Sequence, residues 1–460
     1  MNKPLQMPMF KPETEWVPPV SLPDLKEYKE IAIDLETRDP NLMTMGSGSV
    51  RGDGEVIGIA VAVEGWSGYF PINHEGGGNM DRALTLDWFE EVLHTPATKI
   101  FHNAMYDVSW IRSLGFQING GIVDTLIAAS LINENRWGYS LNALGKEYVG
   151  MGKNEKILNE AAKDWGVDPK SEMWRLPAPL VGEYAEQDAI VTLKLWHALQ
   201  HEISKQDLWD VFNMETNLFP CLVDMKFKGV RVDINKAEAL KKQLTVTEKD
   251  MHRDIKKLAG FDVEIWAAAS IAKAFDKEKI PYDRTEKGAP SFTKNFLATH
   301  PAELPKLINE AREINKANTT FIETILKHEH NGRIHADINQ IRSDQGGTVT
   351  GRFSYSNPNL QQIPARHKEL GPLIRSLFIP EKDTKWGCFD YSQQEPRLVV
   401  HFASLLKLEG TSTIVDAYKE GSADFHQMIA DMAGIERKQA KTINLGIMYG
   451  MGKNKLMAEL

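Results

Sequence analysis

Cysteine is nearly absent from this chain: Cys221 and Cys388 are the only two in 460 residues. That excludes a disulfide framework, and with no second ligand pair at metal spacing it excludes a structural zinc site. In Phe219-Pro220-Cys221-Leu222 and Trp386-Gly387-Cys388-Phe389 the two read as small core residues of a protein kept in a reducing compartment. No apolar run reaches membrane-spanning length and no signal peptide is visible, so the expected location is cytoplasmic, with no membrane partner. Positive charge is not in excess either. Lys and Arg number 54 against 63 Asp and Glu, a net charge of −9. A whole-surface polyanion binder is excluded, whereas a local basic groove is not. No internal repeat or low-complexity tract occurs.

What is present is an ordinary globular composition, 42% hydrophobic and 25% charged, in a chain long enough for two to four domains. Residues 1–20 carry five prolines, Pro4, Pro8, Pro12, Pro18 and Pro19, and read as an extended, poorly ordered tail. Residues 21–205 alternate strand and helix patterns, an α/β arrangement. Residues 206–335 are mostly helical, over 237–258, 267–279 and 305–327, with a turn at 285–291. Strands return in 336–415, at 334–338 and 385–390. Helices resume near Val399 and continue through 416–460.

Three short patterns in the α/β part carry carboxylates. In Glu30-Ile31-Ala32-Ile33-Asp34-Leu35-Glu36-Thr37 the alternation puts Asp34 and Glu36 on one strand face, roughly 7 Å apart. A lone pair of this kind is more often a solvated face. Two further pairs change that balance: Asn103 and Asp107 stand one helical turn apart, and Tyr184 and Asp188 share a helix face at i, i+4. Asp124 reads as a helix N-cap. His74 and His102 read as packing or surface residues, since neither has a second His at ligand spacing.

Near the C-terminus, Asp390-Tyr391-Ser392-Gln393-Gln394-Glu395-Pro396-Arg397 follows an apolar run, which places Asp390 at the end of a buried strand. The segment from Arg437 to Gly450, read as a helix, aligns Arg437, Lys441, Leu445 and Tyr449 on one face. Two cations stand at one end of that face, an apolar residue and a ring at the other. This profile suits a nucleoside triphosphate.

These two segments resemble motifs A and B of the family A (DNA polymerase I type) polymerases. Thr350-Gly351-Arg352-Phe353-Ser354 and Asn357-Pro358-Asn359-Leu360-Gln361-Gln362-Ile363-Pro364 are similar to a further stretch of that family. The three carboxylate patterns resemble the DEDD 3′–5′ exonucleases of the tyrosine subtype. The resemblance runs from about residue 25 to the last residue. It implies a ribonuclease H-like α/β exonuclease domain over 21–205, then a palm-base helix and helical thumb over 206–335. The N-terminal part of an α+β palm over 336–415 and the start of the fingers over 416–460 would follow.

By this resemblance Asp34, Glu36, Asp107 and Asp188 hold two Mg²⁺ or Mn²⁺ ions, Tyr184 orients the attacking water, and Asn103 meets DNA. Asp390 and the Tyr391 carbonyl hold Mg²⁺ at the polymerase centre, Glu395 excludes a ribose 2′-OH, and Arg437 and Lys441 grip the triphosphate. His426 contacts the incoming phosphates, Tyr449 packs near the templating base, and Arg352 and Gln362 touch primer–template. The implied partners are primer–template DNA, single-stranded 3′ ends and dNTPs. The polar run Arg312, Lys316, Asn318, Thr319 and Thr320 resembles a thumb helix on the minor groove, and reads equally as a solvated helix face.

Three departures from the family stand out. Gln394 and Pro396 replace the usual Ile and Leu, which implies a helix start shifted to put Pro396 at its first position. Leu445 stands where many members have Phe, a hint of a phage source, with phage-infected bacterial cytoplasm as the setting. The His-Asp-Glu segment that brings the second catalytic aspartate does not occur in these 460 residues. The expectation is a polymerase with proofreading exonuclease that needs a C-terminal polypeptide or segment for synthesis. A chain active only as a 3′–5′ exonuclease, or an N-terminal subunit that docks a separate polypeptide, stays open as an alternative.

Overall fold

A computed structural model describes residues 14–344, 346–365 and 367–459, so positions 1–13 of the expected tail lie outside the described residues. The chain divides into two compact units, Met1–Glu381 and Lys382–Leu460.

The first unit is built on a five-stranded sheet in the order β3-β2-β1-β4-β5: β1 Glu30–Arg38, β2 Glu55–Val63, β3 Trp66–Pro71, β4 Thr98–Phe101 and β5 Ile122–Asp124. β2 runs antiparallel to β1 and β3, while β4 runs parallel to β1 and β5. Strand periodicity separates two cores. Ile31, Ile33, Leu35, Ile59 and Val61 pack on one face against helices Arg82–His94 and Ala104–Ser113. Ala32, Ala60 and Ala62 line the opposite face with Ala185 and Ala189 of the long helix Pro179–Lys205. Small side chains on both partners let that helix lie close to β1. The strand residues that share this face, Asp34 and Glu36, therefore look toward the helix that carries Tyr184 and Asp188.

The expected tail is anchored where it is described. Trp16 packs beside Tyr69, and its Nε1 donates to Glu186 at 2.9 Å.

The helical part follows the expected pattern. Helices Ile234–Ala259, Ala268–Lys277 and Glu303–Lys316 close over a core of Ile255, Ile271, Phe275, Leu297 and Ile308. The expected turn is a hairpin pairing Asp283–Arg284 with Pro290–Ser291. The third helix widens into a π turn over Ala317–Ile322 before Glu323–His328. Here the polar run splits. Arg312 points inward, donating to the Ile265 carbonyl at 2.6 Å and the Phe292 carbonyl at 2.9 Å. Asn318 is buried and donates to Thr245. Lys316, Thr319 and Thr320 face solvent.

Strand Asp337–Asn339 pairs with Ser354–Ser356, and polar groups fasten it and the residue after it to helix Trp209–Lys228. Lys226, 3% exposed, pairs with Asp337 at 2.9 Å, and Gln340 donates to the Glu215 carbonyl at 2.7 Å.

In Lys382–Leu460 three expectations are corrected. Residues 385–390 form no strand, and Phe389 is 97% exposed. A strand needs a neighbouring strand for its backbone N–H and C=O groups, and no strand among the described residues pairs with this run. Cys388 in that run is exposed, as is Cys221 on the outer face of helix Trp209–Lys228, so neither is a core residue. Helix Gln394–Leu405 begins two residues before Pro396, which becomes its third residue. That costs no hydrogen bond, because the first four N–H groups of a helix have no intrahelical acceptor.

Candidate functional site

Asp34, Glu36 and Asp188 come together with carboxylate oxygens within 4.8 Å of one another. The antiparallel register sets Glu36 opposite Gly58. A Cβ at Gly58 would lie 2.0 Å from the Tyr69 hydroxyl, so only glycine leaves room for that ring. Tyr69 is itself held by His74 Nε2 at 2.6 Å, and His74 Nδ1 lies 3.1 Å from the Leu176 carbonyl. His74 is thus a buried packing residue, as expected, and burial drops its pKa to about 4. His102 is also pushed down to about 4, chiefly by burial, and its Nδ1 sits 2.8 Å from Thr125 Oγ1.

Dense surroundings and mutual repulsion push the carboxyls up. Burial and the Asp188 charge raise Asp34 to about 7, and burial followed by Asp34 and Asp188 raises Glu36 well above its ordinary range. Asp34 and Glu36 keep partial access to solvent, which a site that admits a cation and a substrate needs. Two buried oxygens of the cluster, Glu36 Oε1 and Asp188 Oδ1, have no hydrogen-bond partner. Buried anionic oxygens without donors are costly unless a cation meets them, so the donor set fits a hard divalent cation.

Asp107 is close by but turned aside. It is 4% exposed, and its Oδ1 accepts from the Leu35 backbone N–H at 3.0 Å. The Asp34 charge still acts on it, second to burial in raising its pKa. Asn103 is the N-cap of the Asp107 helix, with φ of 69°, a left-handed conformation that Asn tolerates. Asp124 caps helix Thr125–Ile132 as expected. It also accepts from the backbone of Asn103 at 2.9 Å and Ala104 at 2.9 Å, tying two helix starts together. A cavity of about 550 Å³ opens beside Asn103, lined also by Lys226, Asp337, Asn339 and Asn357.

Lys153 was missed by sequence reasoning. Its Nζ donates to the Tyr184 hydroxyl at 3.0 Å and pairs with Asp188 Oδ2. A single lysine in a loop carries no periodicity, and the only sequence signal is its setting in Gly150-Met151-Gly152-Lys153.

In Lys382–Leu460 the two motifs meet as well. Helix Arg437–Met448 carries Arg437, Lys441 and Leu445, with Tyr449 as its C-cap. The Tyr449 hydroxyl donates to Glu395 on helix Gln394–Leu405. Arg437 pairs with Asp424 at 2.7 Å, and Lys441 is exposed. Arg437 is the first residue of its helix, where the macrodipole adds to its positive field and favours an anion, and Lys441 stands one turn further on. The structure places His426, expected at the phosphates, inside the helix pair: it is 3% exposed, with Nδ1 3.2 Å from Asn444 Nδ2. Gln393 joins these elements by donating to the Ala423 carbonyl and accepting from Phe425 N–H. Asp390 and Tyr391 are exposed, and Asp390 belongs to no acidic cluster among the described residues. Arg352 and Gln362 are exposed in the first unit.

Comparison with known proteins divides the chain at a different place, between residues 204 and 234. Residues 21–204 match a family model described as 3′-5′ exonuclease, and residues 234–460 match one described as DNA polymerase family A. A DNA-directed DNA polymerase of Pseudomonas phage M6 is 37% identical over 99% of this chain and 72% of its own length. DNA polymerase DpoZ of Acinetobacter phage SH-Ab 15497 is 31% identical over 96% of this chain and 73% of its own. The fold is similar to the POL domain of Pol1 from M. smegmatis, solved in complex with DNA primer-template and dNTP. The TM-score is 0.72 at 19% identity, covering 95% of this chain and 70% of that one.

Proposed function

The chain belongs to family A of the DNA polymerases and carries a 3′–5′ exonuclease domain, and from that premise we propose how its residues divide the work. It is a DNA-directed DNA polymerase, a nucleotidyltransferase. In the proposed division, 21–205 is the nuclease, 206–335 the palm-base helix and thumb, 336–415 the start of the palm and 416–460 the start of the fingers.

For the nuclease, Asp34, Glu36 and Asp188 hold a divalent cation, Mg²⁺ or Mn²⁺, and Asp107 serves a second. The observation that carries this reading is the pair of partnerless buried oxygens on Glu36 and Asp188. The bound ions would supply charge stabilisation at the phosphodiester oxygens and a lowered pKa for the attacking water. Tyr184 directs its hydroxyl to orient that water, and Asn103 holds the 3′ end of single-stranded DNA at the adjoining cavity. Digestion of a single-stranded oligonucleotide from its 3′ end by the purified chain tests this. Activity that persists when Asp34 and Glu36 are both replaced by Ala would overturn the assignment.

For synthesis, Asp390 and the Tyr391 carbonyl hold Mg²⁺, Arg437 and Lys441 bind the triphosphate, and Leu445 and Tyr449 meet the sugar and base. Glu395, held by Tyr449, bars a 2′-OH. His426 orders the helix pair from which the two cations project toward the phosphates. Arg352 and Gln362 contact primer–template, as suits a fold similar to a polymerase solved with primer-template and dNTP. A two-metal centre needs a second carboxylate beside Asp390. We assign it to a C-terminal segment or polypeptide outside these residues. Primer extension by the 460-residue chain, with and without such a polypeptide, tests the assignment: template-directed incorporation without it, abolished by Asp390→Ala, would overturn it. The phage relatives support action in the cytoplasm of an infected bacterium. No helix among the described residues is long and apolar enough to cross a membrane.

A further inference from the structure

Lys153 is held more firmly than a surface lysine needs to be. Its backbone N–H donates to Asn142 Oδ1 at 3.0 Å, the Gly152 carbonyl accepts from Gln187 at 3.2 Å, and Asn154 donates to Glu183 at 2.7 Å. The loop is thus tied to helix Leu141–Tyr148 and at two points to helix Pro179–Lys205. Its side chain is 20% exposed, and the ammonium lies 4.9 Å from the centre of the Tyr184 ring. An ammonium has three donors. Here one goes to the Tyr184 hydroxyl and one to Asp188 Oδ2, while Asp188 Oδ1 and Glu36 Oε1 keep no partner.

The cation therefore covers one side of the cluster and leaves the other side open. Carboxylates packed this closely need a counter-charge to stay in place. A divalent ion that takes Asp188 must share it with a positive charge already in hydrogen-bond contact. We propose that Lys153 is a positioning residue and the resident cation of the nuclease site: it holds Asp188 and Tyr184 in the metal-free enzyme and yields Asp188 Oδ2 to a divalent cation. Metal loading is then an exchange of ammonium for metal on one carboxylate, after which Lys153 stays on the Tyr184 hydroxyl. This rests on the metal-binding reading of the same site.

The test uses the full chain and Mn²⁺ alone, with affinity from titration calorimetry and melting temperature in EDTA and in Mn²⁺. Lys153→Met should bind Mn²⁺ about tenfold more tightly, within the usual range for coupled ligands. It should also melt lower in EDTA, so that the gain in melting temperature on adding Mn²⁺ exceeds that of the parent. Lys153→Arg, which keeps the charge, should restore both values toward the parent. Should Lys153→Met fail to fold, Lys153→Gln retains a donor for Tyr184 without the charge and should show the same tightening. Parent-like or weaker Mn²⁺ binding by the neutral variants, with a parent-like gain in melting temperature, would overturn the exchange while leaving the metal site standing. A parent chain that binds no Mn²⁺ would overturn the metal reading, and the exchange with it.

Discussion

The carboxylate site on the five-stranded sheet and the motif-bearing helices of Lys382–Leu460 present opposite surroundings. In the first, catalytic candidates lie over a core of alanines and large apolar residues that are almost wholly buried, and each carboxyl has its pKa moved by burial and by its neighbours. In the second, Leu398, Val399, Phe402, Leu405 and Leu406 of one helix region are all more than 40% exposed, and Asp390 lies on an exposed run without strand pairing. A site held by packing fixes its electrostatics from within, whereas motifs on exposed helices depend on local pairs such as Arg437–Asp424 and Tyr449–Glu395. Substitutions should therefore be felt differently in the two regions.

The largest contrast is chemical. Replacing Asp34 and Glu36 together by Ala should remove several kcal/mol of transition-state stabilisation from 3′ digestion. Single-turnover cleavage of a labelled oligonucleotide measures it, and primer extension by the completed polymerase should be unaffected. Lys441→Ala should do the reverse. It should cost roughly 2–4 kcal/mol in nucleotide incorporation by the completed polymerase, as for loss of one donor to a charge-stabilising site, and leave digestion intact.

Packing gives the next contrast. Ala185→Leu inserts three carbons between the long helix and the sheet and should destabilise the nuclease fold by about 1–3 kcal/mol, read from thermal melting. Phe402→Ser on the exposed helix should stay within about 0.5 kcal/mol. Equal losses would show that the face around Phe402 is covered in the folded chain.

The smallest effect is in pH. Asp34 keeps its proton in the fold up to about pH 7, whereas its ordinary value is 3.8. Between those values the folded state binds more protons than the unfolded one, so in the absence of metal this group's contribution to stability is lost as pH rises through 7. His74 and His102 act in the opposite sense: each is held near 4 in the fold against an ordinary 6.5, so their contribution is lost as pH falls through that window. Asp34→Asn should thus raise the melting temperature in EDTA at pH 8 relative to the parent, with the gap closing by pH 4. A gap that stays constant with pH would mean that Asp34 does not titrate in this range.

Much of the carboxylate cluster was legible because helix and strand periods put its residues on defined faces. Alternation in β1 assigned Asp34 and Glu36 to one side, and the i, i+4 spacing put Tyr184 and Asp188 on one helix stripe. Asp124 was legible as a cap because an Asp just before an apolar helical run accepts the first free N–H groups. The strand expected at 385–390 was not borne out, since an apolar run states a preference for burial and says nothing about which strand edge receives it. The two cysteines misled for the same reason.

By itself, then, the sequence determined the order of elements, the faces that carry Asp34, Glu36, Tyr184 and Asp188, and membership in a polymerase family with an exonuclease domain. Those are properties of spacing along one chain segment. Only the tertiary structure decided that Lys153 enters the carboxylate cluster, that Asp107 turns to the Leu35 backbone, that Arg312 clamps two loop carbonyls, and that Glu395 is held by Tyr449. Each of these joins residues on different elements, separated by 35, 72, 47 and 54 positions. No periodicity spans such gaps. Which side chains meet is settled by how helices and loops pack on the sheet and on one another, and the electrostatics of the site follow from that packing.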